Sequence, residues 1–287
     1  MSKMINIRCG EFGRAALLDL RGSLVEHSHS QGHLLFWLGG DPCAMNVANA
    51  CFPFNAERAV AVNSWEPHAV VAARADQRCL FLLFYLDPEW MAGRCAALGV
   101  APRFAERSFA VSRGLGSLVD ACKKVLSSEQ DGVDFDGCVR SIFDRSMTNI
   151  ASSNDQDPAS EGGRYCIDFR VRKAVDFMKT NVDGRKNFED VARAAGLSRP
   201  HFFSLFRQHM HLTPSIYWNT LRMERAIERL VSSDVSLSEI ADDLGFSEPG
   251  NFSRFFRNHA GVCPSQYRLV AAGPAAKQAL ARNDNVA

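Results

Sequence analysis

Long apolar segments are absent from this 287-residue sequence. No apolar run approaches the roughly 18 residues that a membrane-spanning helix needs, and residues 1–10 lack an apolar core followed by a small-residue cleavage site. We therefore expect no membrane partner and no secretory signal, and we expect the protein in the cytoplasm. The hydrophobic content of 46% and the charged content of 23% are those of a globular protein long enough for two domains.

Paired cysteines are also lacking. The nine cysteines are an odd number, they are scattered from Cys9 to Cys263, and no two have C-x-x-C spacing. This pattern favours a reducing compartment in which most cysteines act as small buried hydrophobic residues.

Motifs for catalysis are missing as well. The sequence shows no Ser-His-Asp order, no Gly-rich phosphate loop and no paired-carboxylate motif. Catalysis would depend on a group of N-terminal histidines alone, so we predict that the protein is not an enzyme.

Net charge is small, at +1, but it is distributed unevenly. Residues 164–268 contain 16 Lys and Arg against 12 Asp and Glu, an excess of +4, whereas the remainder contains 17 against 20, or −3. The basic excess therefore lies in the C-terminal part, where it favours contact with a polyanion.

The sequence contains an internal repeat, with one copy over 191–217 and the second over 240–267. Each copy has apolar residues at helical spacing, a glycine (Gly196 or Gly245), a serine (Ser198 or Ser247), and a second helical segment. The glycines suit a left-handed turn, and we expect the serine hydroxyls to cap the next helix. The pattern predicts two helix-turn-helix units.

The doubled unit, with Phe-Arg after each second helix and then Pro-Ser and Tyr, resembles the DNA-binding domain of AraC/XylS-family transcriptional regulators. The resemblance covers roughly 164–268 and includes a linking helix, 216–231, with Arg222 and Ala226. It implies double-stranded DNA as a partner, RNA polymerase as a second partner, a homodimer, and activation as the commoner outcome.

Within each second helix, one face is expected in the core and the other on DNA. Phe202, Phe206, Phe252 and Phe256 are assigned to the core. The candidate DNA-binding residues are Ser198, Arg199, His201, Phe203, Ser204, Arg207, Ser247, Asn251, Ser253, Arg254 and Arg257. Arg254 suits bidentate reading of guanine and Asn251 suits adenine, whereas Arg207 and Arg257 suit phosphate. Phe203 either contacts a thymine methyl group or packs internally.

The N-terminal part, 1–150, alternates short β-forming runs with turn residues up to about residue 87, and becomes helical afterwards. The short runs predict a small β-barrel or sandwich. The family resemblance implies a cupin-like barrel that binds a small-molecule effector. The helices after residue 87 either form a dimer interface, as is common in the family, or cover the barrel. The fold class is thus α+β with two domains: a cupin-like barrel with flanking helices, then an all-α double helix-turn-helix.

Histidines form the other candidate site. His27 and His29 form an H-x-H pair that would place both imidazoles on one side of a strand, and His33 and His68 follow. We predict effector binding by His27, His29, His33, Trp37 and His68, with no metal and no cofactor. The alternative is a metal site at these histidines, in a cupin-type metal enzyme or metal sensor fused to a DNA-binding domain, because imidazole also suits transition metals.

The two domains are separated by 151–163, which has no large apolar residue and predicts a flexible linker. The DNA-binding domain is predicted at 164–270, and 271–287 is predicted to be a disordered tail. The predicted function is a sequence-specific DNA-binding transcriptional regulator, expected to be an activator, controlled by an effector in the barrel.

Overall fold

The structure is a computed structural model, and it describes residues 2–48, 50–128, 134–152, 167–185 and 187–272. Most of the predicted linker and nearly all of the predicted tail lie outside the described residues. Within them, no helix is long and apolar enough to cross a membrane.

The described residues of the N-terminal part form nine strands in two sheets. The strands are β1 (Lys3–Gly10), β2 (Gly13–Arg21), β3 (Gly32–Gly40), β4 (Cys43–Val47), β5 (Ala50–Pro53), β6 (Arg58–Val62), β7 (His68–Ala72), β8 (Arg78–Leu86) and β9 (Ser108–Ala110). The larger sheet has the order β1-β2-β8-β3-β6-β9 and the smaller has the order β5-β4-β7. The pairing within each sheet is antiparallel. The fold is cupin-like, but over the described strands the two sheets are not closed into a barrel. The loop before β3 joins the smaller sheet through an isolated bridge between His27 and His68 and through a hydrogen bond from the Leu24 amide to the Val70 carbonyl.

The larger sheet is apolar on both faces, because successive side chains alternate between them. On one face Leu18, Leu35 and Phe81 point toward the smaller sheet. On the other, Leu17 and Phe84 pack against helices. Burial on both sides explains why β2, β3 and β8 are nearly continuous apolar runs.

Helices follow or flank the sheet: α1 (Pro88–Leu98), α2 (Arg113–Ser128) and α3 (Phe135–Ser152). The apolar side chains of α2 and α3, such as Leu115, Cys122 and Phe143, join the outer face of the large sheet in one cluster. These helices therefore cover the sheet. Their participation in a dimer stays a prediction.

The C-terminal part is helical over its described residues: α4 (Phe169–Thr180), α5 (Phe188–Ala194), α6 (Arg199–Met210), α7 (Pro214–Ser232), α8 (Leu237–Asp243), α9 (Pro249–Ala260) and α10 (Pro264–Ala271). The α5–α6 and α8–α9 pairs are the two predicted helix-turn-helix units, and α7 links them. The first unit and α4 form one core with the start of α7. The second unit shares its core with the inner faces of the two sheets, so the N-terminal and C-terminal parts are packed together.

Candidate DNA-binding surface and histidine site

The turns of both helix-turn-helix units are built as predicted. Gly196 and Gly245 each have φ of 69°, in the left-handed region that residues with a β-carbon avoid. A β-carbon at Gly245 would overlap the backbone of Gly184. Phe202, Phe206, Phe252 and Phe256 are fully buried, which confirms their assignment to the core.

The predicted serine caps are wrong. Ser198 occupies the N-cap position of α6, but its hydroxyl accepts no backbone hydrogen bond. The N-cap residue of α9 is Glu248 rather than Ser247. Each helix instead has a proline within its first two positions, where the fixed φ suits a helix start and the missing amide costs nothing.

The candidate DNA-binding residues form the outward faces of α6 and α9 and the turns before them. Nine of the eleven are exposed: Ser198, Arg199, His201, Ser204, Arg207, Ser247, Asn251, Arg254 and Arg257. Phe203 and Ser253 are half-buried. The two surfaces thus offer polar and basic groups to a ligand at equivalent places.

Contacts distinguish some of these residues. Phe203 packs with its ring centroid 5.1 Å from that of Phe188, so of its two predicted roles the structure shows the packing one. Asn251 donates from Nδ2 to Ser247 Oγ at 3.0 Å, which orients the Asn251 amide. Arg254, in contrast, has no hydrogen bond or ion pair with any described residue, and its guanidinium points from an exposed helix face.

Arg222 stabilises the second unit from the linking helix. Only 7% of its surface is exposed, its guanidinium donates to the Leu244 carbonyl, and it lies 4.0 Å from the Phe246 ring centroid. Burial lowers the pKa of Arg222 to about 10, so it stays charged at neutral pH. A charge-assisted hydrogen bond and a cation–π contact therefore fix the α8–α9 turn on α7.

The four histidines come together, although not on one strand. His27 and His29 lie in the loop that precedes β3, so the prediction that H-x-H sits on a strand is wrong. Ring centroids are 4.8 Å apart for His27 and His29, 4.5 Å for His27 and His68, and 4.6 Å for His33 and His68. We call His27, His29, His33 and His68 the histidine cluster.

Hydrogen bonds determine the tautomers of two of these rings. His27 Nδ1 donates to the Val25 carbonyl at 2.6 Å, and His68 Nδ1 donates to the Glu66 carbonyl at 2.7 Å. Because a carbonyl only accepts, both neutral rings have a lone pair on Nε2. His33 Nε2 lies 3.0 Å from His68 Nε2 and therefore donates to it.

Two further ring nitrogens in the cluster are buried without a hydrogen-bond partner among the described residues: His29 Nε2 and His33 Nδ1. An unsatisfied buried nitrogen is costly, so each indicates a place where a ligand can bind.

The cluster is kept neutral. Burial lowers the pKa of His33 and of His68 to about 3, and the neighbouring histidines add to the effect. Burial, followed by the charges of neighbouring histidines, also lowers the pKa of His27 and His29 well below the usual value. Neutral imidazoles are the form that accepts hydrogen bonds or binds metal.

The cluster lies at the contact between the β-sheets and the DNA-binding helices. The cavity beside it has a volume of about 20 Å³ and is lined by His27 from the loop before β3, by His33 and His68 from the sheets, and by His259 and Ala260 at the end of α9. The His27 and His259 ring centroids are 6.1 Å apart.

The loop that carries the cluster is also held by α7. Thr220 Oγ1 donates to the Ser28 carbonyl at 3.0 Å, and the Ser30 amide donates to Glu224 Oε1 at 2.9 Å. At its other end the Val25 amide donates to the Asn258 carbonyl of α9 at 3.3 Å. One loop thus contacts both the linking helix and the second recognition helix.

Trp37 is not part of this cluster. It lies further along β3 and lines a separate cavity with Arg58 and Asp120. Three further residues contact the loop or the cluster and were not predicted from the sequence: Thr220, Glu224 and His259. Nothing in the local sequence marks residues whose partners lie some 200 positions away in the chain.

Known proteins match the C-terminal part most clearly. A family model described as a helix-turn-helix domain matches residues 191–269. The lactose operon transcription activator of Staphylococcus xylosus is 32% identical over 98 residues, which is 34% of this chain and 35% of that protein. The regulatory protein PocR of Salmonella typhimurium is 34% identical over 101 residues, 35% of this chain and 33% of that protein. The matches thus span about a third of the relatives' length.

Solved structures resemble the whole fold. A single-substitution variant of ToxT from Vibrio cholerae, in its apo form, has a TM-score of 0.58 at 11% identity, covering 91% of this chain and 98% of that one. Wild-type ToxT from the same organism, bound to an unsaturated fatty acid, has a TM-score of 0.53 at 12% identity, covering 92% and 95%. At these identities the likeness shows the arrangement of sheets and helices.

The C-terminal helices are therefore a double helix-turn-helix DNA-binding domain. This domain is similar to the helix-turn-helix domains of the named regulators, as its doubled motif predicted, and the fold of the described residues resembles the two-part fold of ToxT.

Proposed function

We propose that this protein is a sequence-specific transcriptional regulator whose DNA binding is controlled by an effector at the histidine cluster. The observation that carries the proposal is the position of that cluster: its loop contacts α7 at Thr220 and α9 at Asn258. A ligand bound there touches both the sensing and the DNA-binding parts, so it can favour one arrangement of the two recognition helices.

DNA recognition follows from α6 and α9. Because α7 joins them rigidly, the two helices enter successive major grooves about 34 Å apart, and one monomer covers an asymmetric site. Arg254 and Asn251 read base edges, and Arg207 and Arg257 contact phosphate. Arg257 also lines a cleft shared with Arg21 of β2, so a change in the contact between the two parts alters its surroundings.

The wider role follows the relatives. We propose an activator that acts as a cytoplasmic homodimer and contacts RNA polymerase, in line with the name of the Staphylococcus xylosus relative, a transcription activator. A regulatory rather than enzymatic role is supported by the relatives, which are named as operon regulators.

The test is selection of DNA from a random library with the full chain, followed by fluorescence anisotropy on the selected sequence and on scrambled DNA. We expect a preferred site of two half-elements about one helical turn apart, and an affinity that falls steeply with salt. Equal affinity for selected and scrambled DNA at every salt concentration would contradict the proposal.

A further inference from the structure

We propose that the effector is a divalent transition-metal ion of the Zn²⁺ class, bound by the Nε2 atoms of His27, His29 and His68 at the contact with α9. The effect of the ion on DNA binding rests on the proposed function. The metal site itself is argued from the geometry of the cluster alone.

The donor set is complete before any ligand arrives. Ligand-capable nitrogens of His27, His29 and His68 lie within 4.8 Å of one another. Around one tetrahedral ion with Zn–N bonds of about 2.05 Å, such nitrogens are about 3.3 Å apart, so small ring rotations are enough to close the site.

The hydrogen bonds outside the cluster are those that a metal site needs. The Nδ1–H groups of His27 and His68 donate to backbone carbonyls, an arrangement that fixes the ring orientation of metal-bound histidine and leaves Nε2 as the ligand atom. His29 Nε2 is buried and has no partner among the described residues, so an ion would satisfy it. An ion on His68 Nε2 would displace the hydrogen bond that His33 Nε2 donates to that atom, and after a change of tautomer His33 Nε2 is placed to become a fourth ligand.

Cavity size favours an ion over an organic effector. The space beside the cluster, about 20 Å³, holds about one water-sized particle. Organic ligands occupy clefts of about 300–1,000 Å³. The ligand set also contains no carboxylate or thiolate, and imidazole alone suits Zn²⁺, Cu²⁺, Ni²⁺ and Co²⁺ rather than Mg²⁺ or Ca²⁺.

The position of the site couples occupancy to DNA binding. His27 lies beside His259 at the end of α9, and the loop of His27 and His29 is bonded to Thr220, Glu224 and Asn258. An ion held by His27, His29 and His68 therefore restrains the loop that contacts α7 and α9.

The experiment uses tag-free full-length protein, freed of metal with EDTA and dialysed, and titrated with Co²⁺. We expect visible absorption bands of a four-coordinate Co²⁺ site that saturate at about one equivalent and are displaced by Zn²⁺. The variant His29→Gln should abolish the bands and keep the fold, because His29 Nε2 makes no hydrogen bond that would be lost. The variant His211→Asn, at an exposed histidine with φ of 57° that asparagine tolerates, is the matched control and should behave as wild type.

The effect of the metal on DNA binding is measured as the Kd for the selected DNA with and without Zn²⁺. One equivalent of Zn²⁺ should change the Kd of wild-type protein by at least about fivefold, the lower range of allosteric coupling, and should not change that of His29→Gln. Absence of a Co²⁺ band, or a band retained by His29→Gln, overturns the metal site. A His29-dependent band without any change in Kd overturns its role as the effector. Metal binding in a protein that selects no DNA sequence leaves the site intact and refutes the proposed function instead.

Discussion

The Arg14 guanidinium of β2 donates a hydrogen bond to the Tyr267 hydroxyl of α10 at 3.0 Å, across 253 positions of the chain. Arg14 also stacks 4.1 Å from the centroid of the Tyr85 ring, and Tyr267 is 4% exposed. Burial raises the pKa of Tyr267, so its hydroxyl stays protonated at neutral pH. A half-buried cation thus contacts both the large sheet and the last helix of the DNA-binding domain.

Replacing Tyr267 with phenylalanine should weaken this contact. A hydrogen bond to a charged group contributes about 1.5–3 kcal/mol, and because this one is part-buried we expect Tyr267→Phe to lower the free energy of unfolding by about 1.5 kcal/mol in urea titrations. The control is Tyr217→Phe, which keeps the ring stacked 4.8 Å from that of Trp65. Equal losses in the two variants would show that the Arg14 bond contributes nothing specific.

A second close approach joins α9 to β2. Gly261 ends α9 with φ of 77°, and a β-carbon there would lie 3.0 Å from Leu20 Cδ1. Gly196 has φ of 69°, but a β-carbon on it meets nothing within 4 Å. Gly196→Ala therefore carries only the backbone cost of about 1–2 kcal/mol, and Gly261→Ala should cost more, because the end of the Leu20 side chain must also shift to accommodate the new methyl group.

A double-mutant cycle separates these two costs. Leu20→Ala combined with Gly261→Ala should recover part of the loss, giving a favourable coupling energy in unfolding experiments, because the alanine at position 20 makes room for the new methyl group. Strict additivity of the two substitutions would show that Leu20 is not the group that Gly261 accommodates.

The sequence alone predicts the roles of residues within each helix-turn-helix, but it does not predict the contacts between residues that are far apart in the chain. Each helix-turn-helix places its glycine, core phenylalanines and exposed arginine close together in the chain, so spacing alone predicts their roles. Arg14 and Tyr267, or Ser28 and Thr220, meet only after the whole chain folds. No periodicity relates them.

The histidine cluster lies between these cases. The H-x-H pattern and the two later histidines predicted one site of His27, His29, His33 and His68, but His27 and His29 lie in a loop rather than on the predicted strand. The β-bridge between His27 and His68 brings this loop, and with it His29, next to the strand that carries His68. Trp37 was also predicted at this site, but its position along β3 places it at another cavity.

The neutral cluster makes the stability of metal-free protein depend on pH. Histidine has a pKa of about 6.5 in an unfolded chain, whereas His33 and His68 have values of about 3 in the folded protein. The unfolded state therefore binds more protons between these values, and stability that is complete above pH 6.5 is lost as the pH falls toward 3. For each of these two residues, the free energy of unfolding should fall by about 1 kcal/mol when the pH is lowered from about 7 to about 5.5.

The measurement is urea unfolding in EDTA at both pH values. The variant His33→Gln removes one titrating ring, and its loss of stability over that interval should be about 1 kcal/mol smaller than that of wild type. An unaltered pH dependence in His33→Gln would mean that His33 is not held neutral in the folded protein.

Arg254 provides the sharpest test of DNA reading. Its guanidinium lies on the exposed face of α9 and has no ion pair or hydrogen bond with any described residue, so it is available to bind guanine O6 and N7 together. Arg254→Ala should weaken binding to the selected DNA by about 1–3 kcal/mol and relax specificity at one base pair. The readout is the anisotropy-derived Kd for the selected site and for each single-base variant at fixed salt.

Matched substitutions separate base reading from charge. Arg207→Ala, at the exposed arginine of α6 that is expected on phosphate, should weaken binding to all sequences alike and reduce the salt dependence by about one phosphate contact. Arg103→Ala, at an exposed arginine of the N-terminal part, should change neither. If Arg254→Ala behaves as Arg207→Ala does, with equal losses on selected and random DNA, then Arg254 contacts the backbone, and recognition by α9 depends on Asn251 and the fit of the helix in the groove.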